Sequence, residues 1–464
     1  MTVITTEAAR PSPPAARTRL LLEGPIVSTL LRLSAPNLVV NVVLITVTTS
    51  VDAHFIGRLG PAALAGLALV FPLLMLMQQM ANATMGSALS SALARAIGAG
   101  RREDATALVT HGLIIAIVIA ALFSLVFLLA GPAIYAVMAG QGEILAAAVE
   151  YSNVIFAGAF AYWLLGALTS VVRATGQVAI LAWVYVAAEV LHIALVPLLM
   201  FGWGPVPSFG IAGAGIATVT AFTASSAFLF AYLWRGKTPI RLSLGVRLER
   251  RLFADILSTG VPLSLQPILN NIALAFLTGY AGSLGAAALA GVGAAVRLEY
   301  LMYPVVFGLG ATLVAMVGTN VGAGQLARAV RITWIAAGMA VLATGLIGLA
   351  AIVWPQGWIA LFTAAPEVSE PAALYLGIAA LGYAFIGMNT LTSAFQAMGQ
   401  TFWPLMGVVS RAAVLGIGGW LVVSVMGGGV IGLAIVTASG LAIGGSIVAV
   451  AFWLRMRRKL GGSQ

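Results

Sequence analysis

A few ionisable side chains interrupt long apolar runs in this chain, and their spacing is that of helix faces. Asn37, Asn41, Thr48 and Asp52 are spaced 4, 7 and 4 residues apart, which puts all four on one side of a helix. Glu189 and His192 stand three apart within "LAWVYVAAEVLHIALVPLLM" and share a face for the same reason. A carboxylate on such a face can bind a proton or an organic cation, and two positive charges would compete for it. Imidazole suits the same work, because its ordinary titration range falls near physiological pH. The bland alternatives are an acid held by neighbouring Asn and Thr donors and a hydrogen-bonded buried histidine. Arg297 and Glu299, in "VRLEYLMYP", are two apart and cannot face each other on a helix. Their partners are expected on other helices, as a structural ion pair or as contacts to a substrate. Arg411 has the same two readings. Asn389, Thr392 and Gln396 form a polar stretch without an acid.

Other chemistry is excluded by what the chain lacks. It has no cysteine, so disulfides and thiolate metal sites are ruled out. Its three histidines, His54, His111 and His192, lie far apart in sequence, and no HExxH, GxSxG or phosphate-binding loop occurs. No enzyme, metal site, cofactor or direct ATP drive is expected. "GIAGAGIAT" (210–218) superficially resembles a dinucleotide fingerprint, but it sits in an apolar run, where glycines serve close helix packing. Met75, Met77, Met80, Tyr300, Met302 and Tyr303 are read as ordinary packing residues or as the lining of an adaptable cavity. Pro36, Pro72, Pro197, Pro262, Pro304 and Pro404 mark expected kinks.

The elements that must carry these residues are membrane helices. Of 464 residues, 61% are hydrophobic and 8% charged, and the mean hydropathy is +1.06. A soluble domain carries about 25% charged residues, so the main solvent here is lipid. Charges inside a bilayer cost about 2.5–3.5 kcal/mol each at a helix centre, and those that persist are functional candidates. Apolar runs predict twelve transmembrane helices near 33–57, 62–88, 105–130, 145–170, 178–201, 210–234, 255–281, 286–318, 329–354, 370–395, 403–427 and 430–454. Runs of this length exclude a β-barrel. Of the 23 basic residues, 20 fall on one side of this arrangement. Both termini are therefore expected in the cytoplasm, in a bacterial inner (plasma) membrane. The same bias accounts for the net charge of +10, so nucleic acid is not an expected partner.

The chain is also duplicated. "GRLGPAALAG" (57–66) returns as "GSLGAAALAG" (282–291), "GAGRREDA" (98–105) as "GAGQLARA" (322–329), and "RATGQ" (173–177) as "QAMGQ" (396–400). Six spans per repeat give both halves the same topology, a parallel pseudo-twofold found in many secondary transporters. The expected architecture is an all-α membrane protein of two pseudo-symmetric six-helix bundles, 25–235 and 253–455. A basic cytoplasmic linker (236–252) joins them, and tails at 1–24 (flexible, without a signal peptide) and 456–464 flank them.

On these motifs the chain resembles the multidrug and toxic compound extrusion (MATE) family, in particular its branch related to the DNA-damage-inducible F proteins. The resemblance covers roughly residues 25–455. It rests on the order and spacing of "VDAHFIGRLGPAALAG", "ARAIGAG", "RATGQ" and "VRLEYLMYPVVFGLGATLVAMVGTNVGAG". It implies two lobes and alternating-access export of small organic, often cationic, compounds in exchange for protons or sodium. It also implies an ion-coupling role for Asp52, which matches the acid of the family's first helix. Related proteins often place an Asn and then an Asp-Pro in the fifth span, where this chain has His192 and Val196-Pro197. Glu189 is then the candidate substitute for the missing acid. Arg297 and Glu299 match an R-x-E of the branch and, with Asn37, Asn41, Thr48 and Asn389, are assigned to the substrate cavity. The absence of an acid in the tenth span favours protons over sodium. A monomer suffices for a two-lobe cleft. The alternative is a flippase for lipid-linked intermediates, which would call for more intramembrane bases than Arg297 and Arg411.

Overall fold

The structure, a computed structural model, describes residues 19–138, 141–236, 238, 240, 246–361 and 365–461, without the side chains of 36–50, 53, 178 and 461. Most of the expected 1–24 tail, part of the 236–252 linker and the last three residues lie outside that set. The first repeat contains helices α1 (Ile26–Gly57), α2 (Pro61–Gly98), α3 (Arg102–Val137), the pair α4 (Gly142–Ala157 and Ala159–Ala174), α5 (Val178–Phe201) and α6 (Gly210–Trp234). The second contains α7 (Arg250–Ser283), α8 (Ala286–Gly322), α9 (Leu326–Val353), α10 (Pro366–Ala397), α11 (Phe402–Val425) and α12 (Gly429–Gly461).

Among the described residues, ten helices are long and apolar enough to cross a membrane. The two pieces of α4, bent by 42°, make an eleventh if they form one span. In α1, 32 residues long, the described apolar stretch is Ile26–Ala35. The fold is thus an all-α, multi-pass membrane bundle. An isolated β-bridge, Trp203 with Val206, lies in the loop before α6.

Helix boundaries follow from local chemistry. Pro61 opens α2, where a missing N–H costs nothing. Glu103 and Asp104 occupy the first turn of α3, complementing its dipole. The duplication is visible in register: α1 and α7 begin at Ile26 and Arg250, α3 and α9 at Arg102 and Leu326, and α5 and α11 at Val178 and Phe402, each pair 224 residues apart. The helix ladder loosens into wide π turns at Asn82–Leu89 in α2 and at Val414–Gly418 and Trp420–Val425 in α11.

The buried core falls into three clusters. One runs from Ile56 to Leu263 and a second from Ala273 to Leu441. A third joins Leu21 and Leu30 to residues between Leu313 and Met456. Each repeat therefore starts its first helix on the other repeat. Leu30 of α1 packs with the second half, whereas Leu252 and Ile256 of α7 pack with the first.

The repeated "GAG" motifs explain how the halves meet. A Cβ on Gly98 would sit 2.2 Å from the Thr319 carbonyl oxygen, and one on Gly322 would sit 2.3 Å from that of Arg95. These contacts are mates across the pseudo-twofold, since Gly98 and Gly322, and Arg95 and Thr319, are each 224 apart. The ends of α2 and α8 thus cross backbone to backbone. Two residues on, Gly100 and Gly324 take φ of +72° and +77°, ending both helices in the left-handed conformation. Around the crossing, Arg95 donates to Asp255 of α7 at 2.6 Å and to the Ala397 carbonyl at 3.1 Å. Asp255 is therefore one side of an ion pair between the halves. Ser34 of α1 also donates to Thr312 of α8 at 3.0 Å.

Candidate functional site

Two helices distant in sequence bring the three candidate coupling residues together. α1 packs along α5, and α5 along α6. The His192 imidazole lies between the two acids, with Nε2 3.2 Å from Asp52 Oδ1 and Nδ1 3.6 Å from Glu189 Oε1. The second distance is beyond a hydrogen bond, so that contact is electrostatic. Thr218 of α6 adds its hydroxyl 3.2 Å from Nε2. The His192 side chain is 4% exposed, and those of Asp52 and Glu189 are 12% exposed. Val196, where related proteins often carry an acid, is fully buried.

This arrangement has one imidazole between two carboxyl groups in a site nearly shut off from water. Its charge changes by one with each proton taken up, and a charge there is felt strongly because little solvent screens it. The site can hold a proton or a small cation. Nearby in the same bundle, Gln78 of α2 donates to the Tyr162 hydroxyl of α4 at 2.7 Å. Neither Thr218 nor the Gln78–Tyr162 pair was singled out by sequence. They lie on other helices, with no spacing to tie them to Asp52. The side chains of Asn37, Asn41 and Thr48 lie outside the described residues.

The second half holds a different cluster. Glu299 of α8 is buried, and Arg411 of α11 donates to its Oε1 at 2.5 Å. The Tyr303 hydroxyl accepts from Arg411 at 3.0 Å and donates to Glu299 at 3.2 Å. The partner of Glu299 does come from another helix, and the ion pair is within the second half. Arg297, two residues away, is exposed. Asn389 is half-buried on α10. The structure thus joins Asp52, Glu189 and His192 in one half and Glu299 with Arg411 in the other. Tyr303 was detectable in sequence, since it lies four residues after Glu299 on the same face. Among the described residues, no group of three His, Cys, Asp or Glu side chains is arranged to hold a metal ion.

Comparison with known proteins agrees with this architecture. The MatE family model matches residues 38–198 and 262–420, once in each repeat. A FAD transporter of Shewanella oneidensis is 27% identical over 370 residues, covering 79% of this chain and 81% of the relative. A probable multidrug resistance protein NorM of Deinococcus radiodurans is 28% identical over 462 residues, covering 94% and 98%. Among solved structures, a MATE protein in its bent conformation superposes with a TM-score of 0.87 at 23% identity, covering 98% of this chain and all of the other. The fold is therefore the known two-lobe MATE architecture. With the family model matching more than half of the chain, in both repeats, this protein belongs to the MatE family.

Proposed function

We propose that this protein exchanges protons for organic cations at the Asp52–His192–Glu189 site. The chain is a secondary active antiporter that exports small organic, drug-like compounds by alternating access, and it is not an enzyme. The observation that carries the coupling assignment is one imidazole held between two carboxyl groups from two helices. With the carboxylates charged, the site attracts a cation. A proton arriving at Asp52 or His192 cancels one of the two negative charges, weakens that attraction and releases the cargo. A buried charge needs a partner, so occupancy by proton or cargo, but not by both, is the favoured cycle. The imidazole between the carboxyl groups favours protons over sodium, because it takes up a proton near physiological pH.

In this reading α1 is the twelfth span and the lobes are 25–235 and 253–455, joined by the 236–252 linker. Both termini lie in the cytoplasm of a bacterial inner membrane, and one copy suffices. Arg297, Asn389, Asn37, Asn41 and Thr48 are assigned to the substrate cavity. Glu299, bound to Arg411, supports the second lobe. The R-x-E pattern at 297–299 supports the branch related to the DNA-damage-inducible F proteins.

The test is export by purified protein in liposomes, under an imposed proton or sodium gradient, with wild type and Asp52→Asn side by side. Cationic dyes head the panel. FAD is included because the Shewanella oneidensis relative is a FAD transporter. Proton-driven export lost in Asp52→Asn, with folding intact, supports the assignment. Undiminished export by the variant would reject it. Movement of lipid-linked sugars in place of dyes would favour the flippase reading.

A further inference from the structure

We propose that the groove between the start of α1 and the first turns of α9 binds an anionic phospholipid, phosphate against the arginines and acyl chain along α1. The groove has a volume of about 580 Å³ and is lined by residues 23–28 and Leu31 on one side and by Arg328, Arg331 and Ile335 on the other. Arg328 donates one guanidinium nitrogen to the Gly24 carbonyl. Its Nε is buried without a hydrogen-bond partner. Arg331 follows three residues later on the same helix face and is exposed. Opposite them is the start of α1, where the ladder's first bond runs from the Thr29 N–H to the Pro25 carbonyl. The N–H groups of Ile26, Val27 and Ser28 precede it and lack helical acceptors, which adds a positive helix end to two guanidinium groups. The one acid here, Glu23, is already paired with Arg19 at 2.7 Å.

The duplication provides an internal comparison. At the 224-residue offset, Arg328, Arg331 and Ile335 correspond to Asp104, Ala107 and His111. In the first half that place is filled by protein. Asp104 binds Arg251 at 2.9 Å, and His111 Nε2 accepts the Glu249 N–H at 2.8 Å with its ring against Phe253. In the second half the same place is open and basic. Its flank is apolar and outward-facing, with Val27 48% and Leu31 51% exposed, at the end of a membrane helix. That combination fits a headgroup joined to an acyl chain, and basic pockets between helices bind acidic headgroups. Free phosphate would make no use of the apolar flank.

The test is native mass spectrometry of the full-length protein in detergent, titrated with phosphatidylglycerol, phosphatidylethanolamine or inorganic phosphate. It is independent of transport. Phosphatidylglycerol should be retained over phosphatidylethanolamine, and Arg331→Gln should reduce that retention about fivefold. Arg331→Lys should restore most of it, which separates loss of charge from loss of fold. Arg328→Gln should act in the same direction, with the Gly24 contact also lost. Equal retention of the two lipids, or of phosphatidylglycerol by wild type and Arg331→Gln, would overturn the proposal. Displacement of phosphatidylglycerol by millimolar phosphate would overturn the lipid as the occupant.

Discussion

In the proposed cycle coupling turns on His192, whose two ring nitrogens face two different acids. A neutral imidazole leaves the site anionic, and a proton on it cancels one carboxylate. Affinity for a cationic substrate should therefore fall as pH falls, with protons and cargo competing. In His192→Gln, binding of a cationic dye, followed by fluorescence across pH, should lose a large part of that slope while retaining binding. An unchanged slope would move the proton to the carboxyl groups alone. Arg411 and Glu299 call for the opposite expectation. Removing one member of a buried pair strands the other charge, at about 3–5 kcal/mol. Arg411→Met should lower the Tm in detergent markedly, and the double variant with Glu299→Leu should recover most of the loss. A double variant that is folded but cannot export would show that the pair takes part in transport.

At the scale of elements, the α2–α8 crossing is the place where the halves touch most closely. The atoms facing Gly98 are backbone, so no rotamer change can make room for a side chain. Gly98→Val should destabilise the crossing by about 1–3 kcal/mol, the usual range for overpacking. Because the chain has no cysteine, the consequence can be read cleanly from one introduced at Ala94, which is fully buried beside Gly318. A water-soluble maleimide should leave Ala94→Cys unmodified in the otherwise native chain and label it when Gly98→Val is added. Continued protection would mean that the crossing survives and that its glycines are not what closes this end.

For the whole molecule, the pseudo-twofold sets which ends of the helices lie together, and the distribution of Arg and Lys sets which side of the membrane they face. Those basic residues cluster at the end where the GAG crossing and the Arg95–Asp255 pair sit. Ser283→Cys and Lys459→Cys, both at exposed positions, should therefore label from opposite sides. The impermeant reagent should reach position 283 in intact cells and position 459 only in inverted vesicles. The reverse pattern would invert the direction of transport inferred for this protein.

The length of the apolar runs was enough to locate the helices, because a segment without water must satisfy its own backbone and a span needs a fixed length of apolar chain. Most expected spans agree with the observed helices to within a few residues; α1 begins earlier, at Ile26, and α2, α3 and α12 run on to Gly98, Val137 and Gly461. The duplication was likewise legible, since its register survives in identical motifs. The grouping of Asn37, Asn41, Thr48 and Asp52, and that of Glu189 with His192, came from helical spacing within one element. What tertiary structure alone decided were the contacts between elements: His192 against Asp52, Glu299 against Arg411, and Gly98 against Thr319. Helical periodicity constrains which residues share a face. It carries no information on which other helix that face meets, because in an apolar solvent many helix pairings satisfy the same pattern, and close packing selects among them.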